Sequence, residues 1–165
     1  MTDPGLRYAS ARGPDAVPGT IVPRTILLAT DLTPTSLVAE TEAITLARDL
    51  HAELLIVSVV DPRSLRGPRG DYVRRVDQAR QDLQARARGL QDRASTVGVA
   101  VRLLIWEGEP AESVLEAATA ESVSMIVIGS HGRRGVDRLV LGSVSDRVVR
   151  EANVPVVVAR ARPTT

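Results

Sequence analysis

The chain has 165 residues, 44% hydrophobic and 25% charged, with a formal net charge of +1. That composition suits one domain large enough to bury a core and supplies no global field for nucleic acid or an anionic membrane. Cysteine is absent, which excludes disulfide frameworks, thiol nucleophiles and thiolate metal sites.

All 21 basic residues are arginine. Without lysine there is no Walker-type phosphate loop, no kinase strand lysine and no Schiff base. Tyr8, Tyr72 and Trp106 are the only aromatic residues, too few for a platform that stacks bases. In chain order, residues 1–23 carry four prolines and three glycines, a composition that predicts a disordered tail. The tail lacks the apolar core of a secretory signal, and no stretch reaches the ~18 apolar residues of a membrane span. The expectation is a cytoplasmic protein with one domain over 24–162.

From Thr25 strand and helix signals alternate. The apolar run 26–29 stops at Thr30-Asp31, residues suited to a turn or cap. Ala43, Leu46, Ala47 and Leu50 follow at helical spacing. Glu53–Val60 predicts a second strand, ending at Asp61-Pro62. Beyond the Arg/Gly/Pro-rich loop 63–70, Val76, Ala79, Leu83, Ala87, Leu90, Ala94 and Val97 predict a long amphipathic helix, with Gly89 inside it. A third strand over 99–106 leads to a helix opened by Pro110 and running to about Ser122. The strand 125–128, a helix over 143–152 and a strand over 154–159 complete the chain. Alternating elements with continuously apolar strands predict a parallel sheet covered by helices on both faces, a Rossmann-like three-layer α/β/α domain.

Gly129, Gly132, Gly142 and Ser143 stand directly behind the fourth predicted strand. Glycines let phosphate approach the backbone closely, and a helix opening at Ser143 presents free amides and a positive dipole end to an anion. The same residues also fit a plainer role, in a tight turn and an N-cap. In a parallel sheet ligands bind at strand carboxyl ends where the strand order reverses. If the first and fourth strands are neighbours there, 29–31 and 129–132 face one crevice, with Asp31 accepting from a ribose or base and the glycines holding phosphates. Asp31 equally suits a helix cap, His131 a solvated turn, and Arg133, Arg134 and Arg138 either a triphosphate or open solvent. Two histidines without neighbouring ligands make no zinc or iron site. No nucleophile elbow or marked carboxylate pair appears, so any hydrolysis is expected to be slow.

The spacing G-x2-G-x9-G-S/T, the Thr30-Asp31 turn, the strand end Val59-Val60-Asp61 and the run Asn153-Val154-Pro155-Val156-Val157-Val158 resemble the universal stress protein family, in particular its ATP-binding branch. The resemblance covers residues 24–160. It implies a five-stranded sheet ordered 3-2-1-4-5 and a homodimer through the C-terminal strand. It further implies an adenosine pocket of Ala29, Thr30, Asp31 and Val59 facing Ile128 and Gly129, with phosphates held by Gly132, Gly142, Ser143, Val144 and Ser145. His131 and Arg133 lie within that phosphate loop. Many ATP-binding members have proline where this chain has Ala29. ATP is the expected ligand, with Mg2+ carried on its phosphates, and neither nucleic acid nor membrane is an expected partner.

Two other classes compete with this regulatory module. An ATP pyrophosphatase or related hydrolase carries a Ser-Gly-Gly-x-Asp-Ser type loop after its first strand, where this chain has Ala29-Thr30-Asp31-Leu32-Thr33-Pro34. A dimeric interaction protein with an unused pocket would not need all four motif positions.

Overall fold

The computed structural model describes residues 24–67, 69–130 and 141–160. The expected tail over 1–23 lies outside them. Five strands, β1 (Thr25–Ala29), β2 (Glu53–Val60), β3 (Val101–Glu107), β4 (Met125–Gly129) and β5 (Val156–Ala159), form one parallel sheet ordered β3-β2-β1-β4-β5. The helices are α1 (Leu37–Asp49), α2 (Tyr72–Thr96), α3 (Pro110–Ala120) and α4 (Ser143–Glu151).

Burial on both faces explains the uninterrupted apolar strands. Ile26 and Leu28 of β1 enter one core with Leu54, Ile56 and the inner faces of α1 and α2. Leu27 and Ala29 enter the other with Leu55, Val57, Ile126, Ile128, α3 and α4. The fold is thus the three-layer architecture expected, with α1 and α2 on one side and α3 and α4 on the other. Among the described residues no helix is long and apolar enough to cross a membrane.

Local details depart from the periodicity. The buried stripe of α1 is Ala39, Ala43 and Ala47, each at most 1% exposed, so small side chains bring this helix close to the sheet. Leu50, expected on that face, is 44% exposed, because the helix stops at Asp49 and Leu50 is its C-cap. In β5, Val156 and Val158 face the α3/α4 core, whereas Val157 and Ala159 face the α1/α2 core, as alternation requires.

Two substitutions test this packing. A Cβ at Gly89 would meet no atom within 4 Å, so Gly89→Ala removes a mid-helix glycine without a clash and should add about 1 kcal/mol of stability, read as a rise of a few degrees in thermal midpoint. Ala43→Leu overfills the tight contact of α1 with the sheet and should cost about 1–3 kcal/mol in urea unfolding.

Candidate functional site

The strand order reverses at β1, between β2 and β4. The chain leaving β1 enters α1 on one face of the sheet, and the chain leaving β4 returns through α4 on the other. A crevice must open between those departing segments. A cleft of about 630 Å³ occupies that position, lined by Ala29, Thr30 and Asp31 after β1, Val57, Val59, Asp61 and Ser64 at β2, Ile128 and Gly129 of β4, and Gly142 to Ser145. Ser36, Pro110 and Val114 complete its lining.

Every site residue expected from the sequence that is described lies on this lining: Ala29, Thr30, Asp31, Val59, Ile128, Gly129, Gly142, Ser143, Val144 and Ser145. His131, Gly132 and Arg133 fall outside the described residues. The sequence reading did not include Ser36, Val57, Asp61, Ser64, Pro110 and Val114. Val57 was accessible from the strand period, being two residues before Val59 on the same face. Val114 lies one helical turn after Pro110. The serines gave no sequence signal.

The turn after β1 is built by side chains bonding backbone. Thr30 Oγ1 accepts from the Leu32 amide at 2.9 Å. Asp31 Oδ1 accepts from the Thr33 amide at 3.2 Å and its hydroxyl at 2.7 Å. Asp31 therefore shapes a turn ahead of the short 3-10 segment Pro34–Ser36 as well as lining the cleft, and it is not the helix cap anticipated as its plainer role, since the N-cap positions are Thr33 and Ser36. Leu32, at φ 54°, is a left-handed residue other than glycine, a strained conformation that persists where the surroundings over-determine it.

Across the cleft, α4 begins without a side-chain cap at Gly142. The amides of Ser143, Val144 and Ser145 open the helix and have no intrahelical acceptor; the first bond of the helix is Asp146 N to Gly142 O at 2.9 Å. Gly142 sits at φ −62° and ψ 154°, which any residue can adopt, so backbone conformation does not demand glycine here. The Ser145 hydroxyl donates to Gly129 O at 2.6 Å, fastening α4 to β4. What Ser145 offers an anion is thus its amide and not the hydroxyl proton. The N-terminus of α3 reaches the same cleft through Pro110, but Glu109 already caps it, accepting from the amides of Ala111 and Glu112. One helix start is neutralised by its own carboxylate, and the other has no side-chain cap among the described residues.

The electrostatics of the second lip follow from Asp61. Hydrogen bonding from the Arg63 guanidinium holds its carboxyl below the usual carboxylate range. With the folded value lowered, the stabilising contribution is present above the unfolded carboxylate pKa and is lost only as pH falls through the lowered one. Asp61 is therefore an acceptor at neutral pH. Among the described residues no group of three acidic, histidine or cysteine side chains could hold a metal ion.

The model of the universal stress protein family matches residues 23–160. The chain is 31% identical over 137 residues to universal stress protein MJ0531 of Methanocaldococcus jannaschii, covering 82% of this chain and 81% of the relative. It shares its fold with universal stress protein UspA from Lactobacillus plantarum at a TM-score of 0.74 and 25% identity, over 84% of this chain and 99% of that one. A universal stress protein solved in complex with cAMP is similar at a TM-score of 0.63 and 25% identity, over 83% and 96% of the two chains. The sheet order, the cleft at its reversal point and a match that spans every described element agree, and the chain belongs to the universal stress protein family.

Proposed function

We propose that this chain is a cytoplasmic ATP-binding module of the stress response, whose nucleotide occupancy biases its contacts with partners and whose hydrolysis is slow at most. The observation that carries the reading is the uncapped start of α4 facing the Asp31 turn across one cleft: an anion site on one side and hydrogen-bond acceptors on the other. A nucleotide has that polarity, with phosphates for the amides and an amine and hydroxyls for the acceptors. The family member solved with cAMP supports the same assignment. Mg2+ would travel on the phosphates, since it keeps waters and needs few protein ligands. His131, Gly132 and Arg133 belong to the proposed site through the motif alone.

Assembly as a homodimer through β5 is part of the proposal. Ile126 N donates to Pro155 O at 2.9 Å and Ser130 N to Ala159 O at 3.0 Å, so the backbone groups of Pro155, Val157 and Ala159 face β4. Those of Val156 and Val158 face the open edge, where a second copy can pair.

Calorimetric titration tests the cleft: Gly142→Val should weaken ATP binding by roughly tenfold or more through blocked backbone approach, and unchanged affinity in the folded variant would remove the phosphate site. Asp31→Ala should weaken ATP and adenosine alike; equal loss for ATP and inorganic triphosphate with adenosine unaffected would move Asp31 away from the nucleoside. Val158→Pro should dissociate the dimer in sedimentation at micromolar concentration while leaving the fold intact, whereas Val157→Pro removes a donor toward β4 and should cost folding. A monomeric wild type would end the edge-pairing proposal.

A further inference from the structure

Glu40 of α1 is 6% exposed, a carboxylate inside the helix layer. Its Oε1 accepts from the Ser36 hydroxyl at 2.9 Å and the Thr30 hydroxyl at 3.4 Å, and its other oxygen pairs with Arg93 of α2. An apolar residue of similar volume is usually as stable or more stable in such a place, so the pair has little return in stability to account for it. Both residues whose hydroxyls it engages line the cleft, and Glu40 itself does not.

Each hydroxyl carries one proton. Thr30 gives its proton to Glu40 and uses one lone pair for the Leu32 amide. The Ser36 proton goes to Glu40 or, at 2.7 Å, to Thr33 O, an internal partner in either case. What either hydroxyl has left for a ligand is then an oxygen lone pair. Asp31 and Asp61 add acidic side chains to the same lining.

We propose that Glu40, tethered by Arg93, is a positioning and specificity-determining residue: it takes up the proton of Thr30 and shares that of Ser36 with Thr33 O, makes the end of the cleft beside β1 a set of acceptors, and so selects ligands that bring donors there, an amino group or ribose hydroxyls, over those that bring carbonyl oxygen. The inference rests on reading the cleft as a nucleotide site and adds the basis of its selectivity. Through Thr30 the same carboxylate steadies the strained Leu32 turn that carries Asp31.

The experiment compares ATP with ITP, in which a carbonyl replaces the 6-amino group, and with 2′,3′-dideoxy-ATP, which lacks the ribose donors. Calorimetry on the full chain should show wild type binding at least one analogue roughly tenfold more weakly than ATP, as for one lost hydrogen bond to a charged or polarised acceptor. The variant Glu40→Leu/Arg93→Met replaces the pair with apolar residues and should keep its thermal midpoint, while both analogue ratios fall toward one: a freed hydroxyl can turn its proton to the ITP carbonyl, and an oxygen no longer held as an acceptor loses its preference for the ribose donors. A merely structural pair would move the midpoint and leave the ratios alone, and unchanged ratios in folded variant overturn the proposal. Should the double variant fail to fold, Glu40→Leu alone serves, since Arg93, with its side chain 43% exposed, can swing into solvent. If wild type binds no nucleotide, the reading of the cleft fails instead, and hydrogen exchange still decides the role of Glu40: the Leu32 amide should exchange at least about tenfold faster in the variant with Ile126 unchanged, and equal protection in both proteins would overturn it.

Discussion

The pairing of β1 with β4 is the constraint on which the rest depends. Their register sets Ala29 beside Ile128, so the two strands end level with each other at the same edge. Thr30 N still reaches Val57 O on β2 at 3.1 Å, while Ser130 N turns the other way to Ala159 O on β5 at 3.0 Å. The two chains are pulled apart by their own ladder bonds, and the space between them is the cleft. Its existence follows from strand order; its chemistry follows from which residues stand at the two departing ends.

Those ends are prepared differently. On the β1 side, polar side chains close on the backbone: Ser58 Oγ donates to Thr30 O at 2.6 Å, Thr30 and Asp31 hold the next amides, and the left-handed Leu32 is buried in the α1/α2 core. The lip is rigid because strain is over-determined there. On the β4 side the helix start has no side-chain cap, and of its two serines Ser145 spends its hydroxyl proton on Gly129. Glu109 shows what the alternative looks like, capping α3 and also reaching Arg147 of α4 at 2.7 Å. The result is a cleft with acceptors at one side and amide donors at the other.

The sequence was legible wherever a residue's role is local or periodic. Strand β2 has the bounds its apolar run implies, and Gly129 stands at the end of β4 as its position after an apolar run requires. Strands β3 and β5 begin two residues later than hydrophobicity suggests, because Val99 and Val154 are apolar for packing against helices and not for pairing. Leu50 misled because periodicity cannot see a helix end. Glu40 was illegible for a different reason: a charged residue on a helix reads as solvent-facing, and only the approach of Arg93, 53 positions later, makes its burial tolerable.

The absence of lysine connects these observations. A guanidinium fork can hold two partners at once, and two arginines show it: Arg102 of β3 joins Glu53 of β2 at 2.6 Å and Glu121 beyond α3 at 2.9 Å, and Arg147 joins Glu109 to Glu151. Arg102 ties the sheet to the α3 layer, and Arg147 ties α4 to the start of α3 within one layer. None of the described residues that line the cleft is an arginine. Among them the attraction for an anion comes from backbone amides and a helix dipole, groups fixed in direction by the fold and unable to follow a ligand out. Such a site discriminates by geometry more than by charge. On the proposed reading of the cleft, a valine Cβ at Gly142 therefore threatens binding more than the loss of a surface guanidinium would, and the direction of the hydroxyl protons beneath Glu40 matters at the opposite lip.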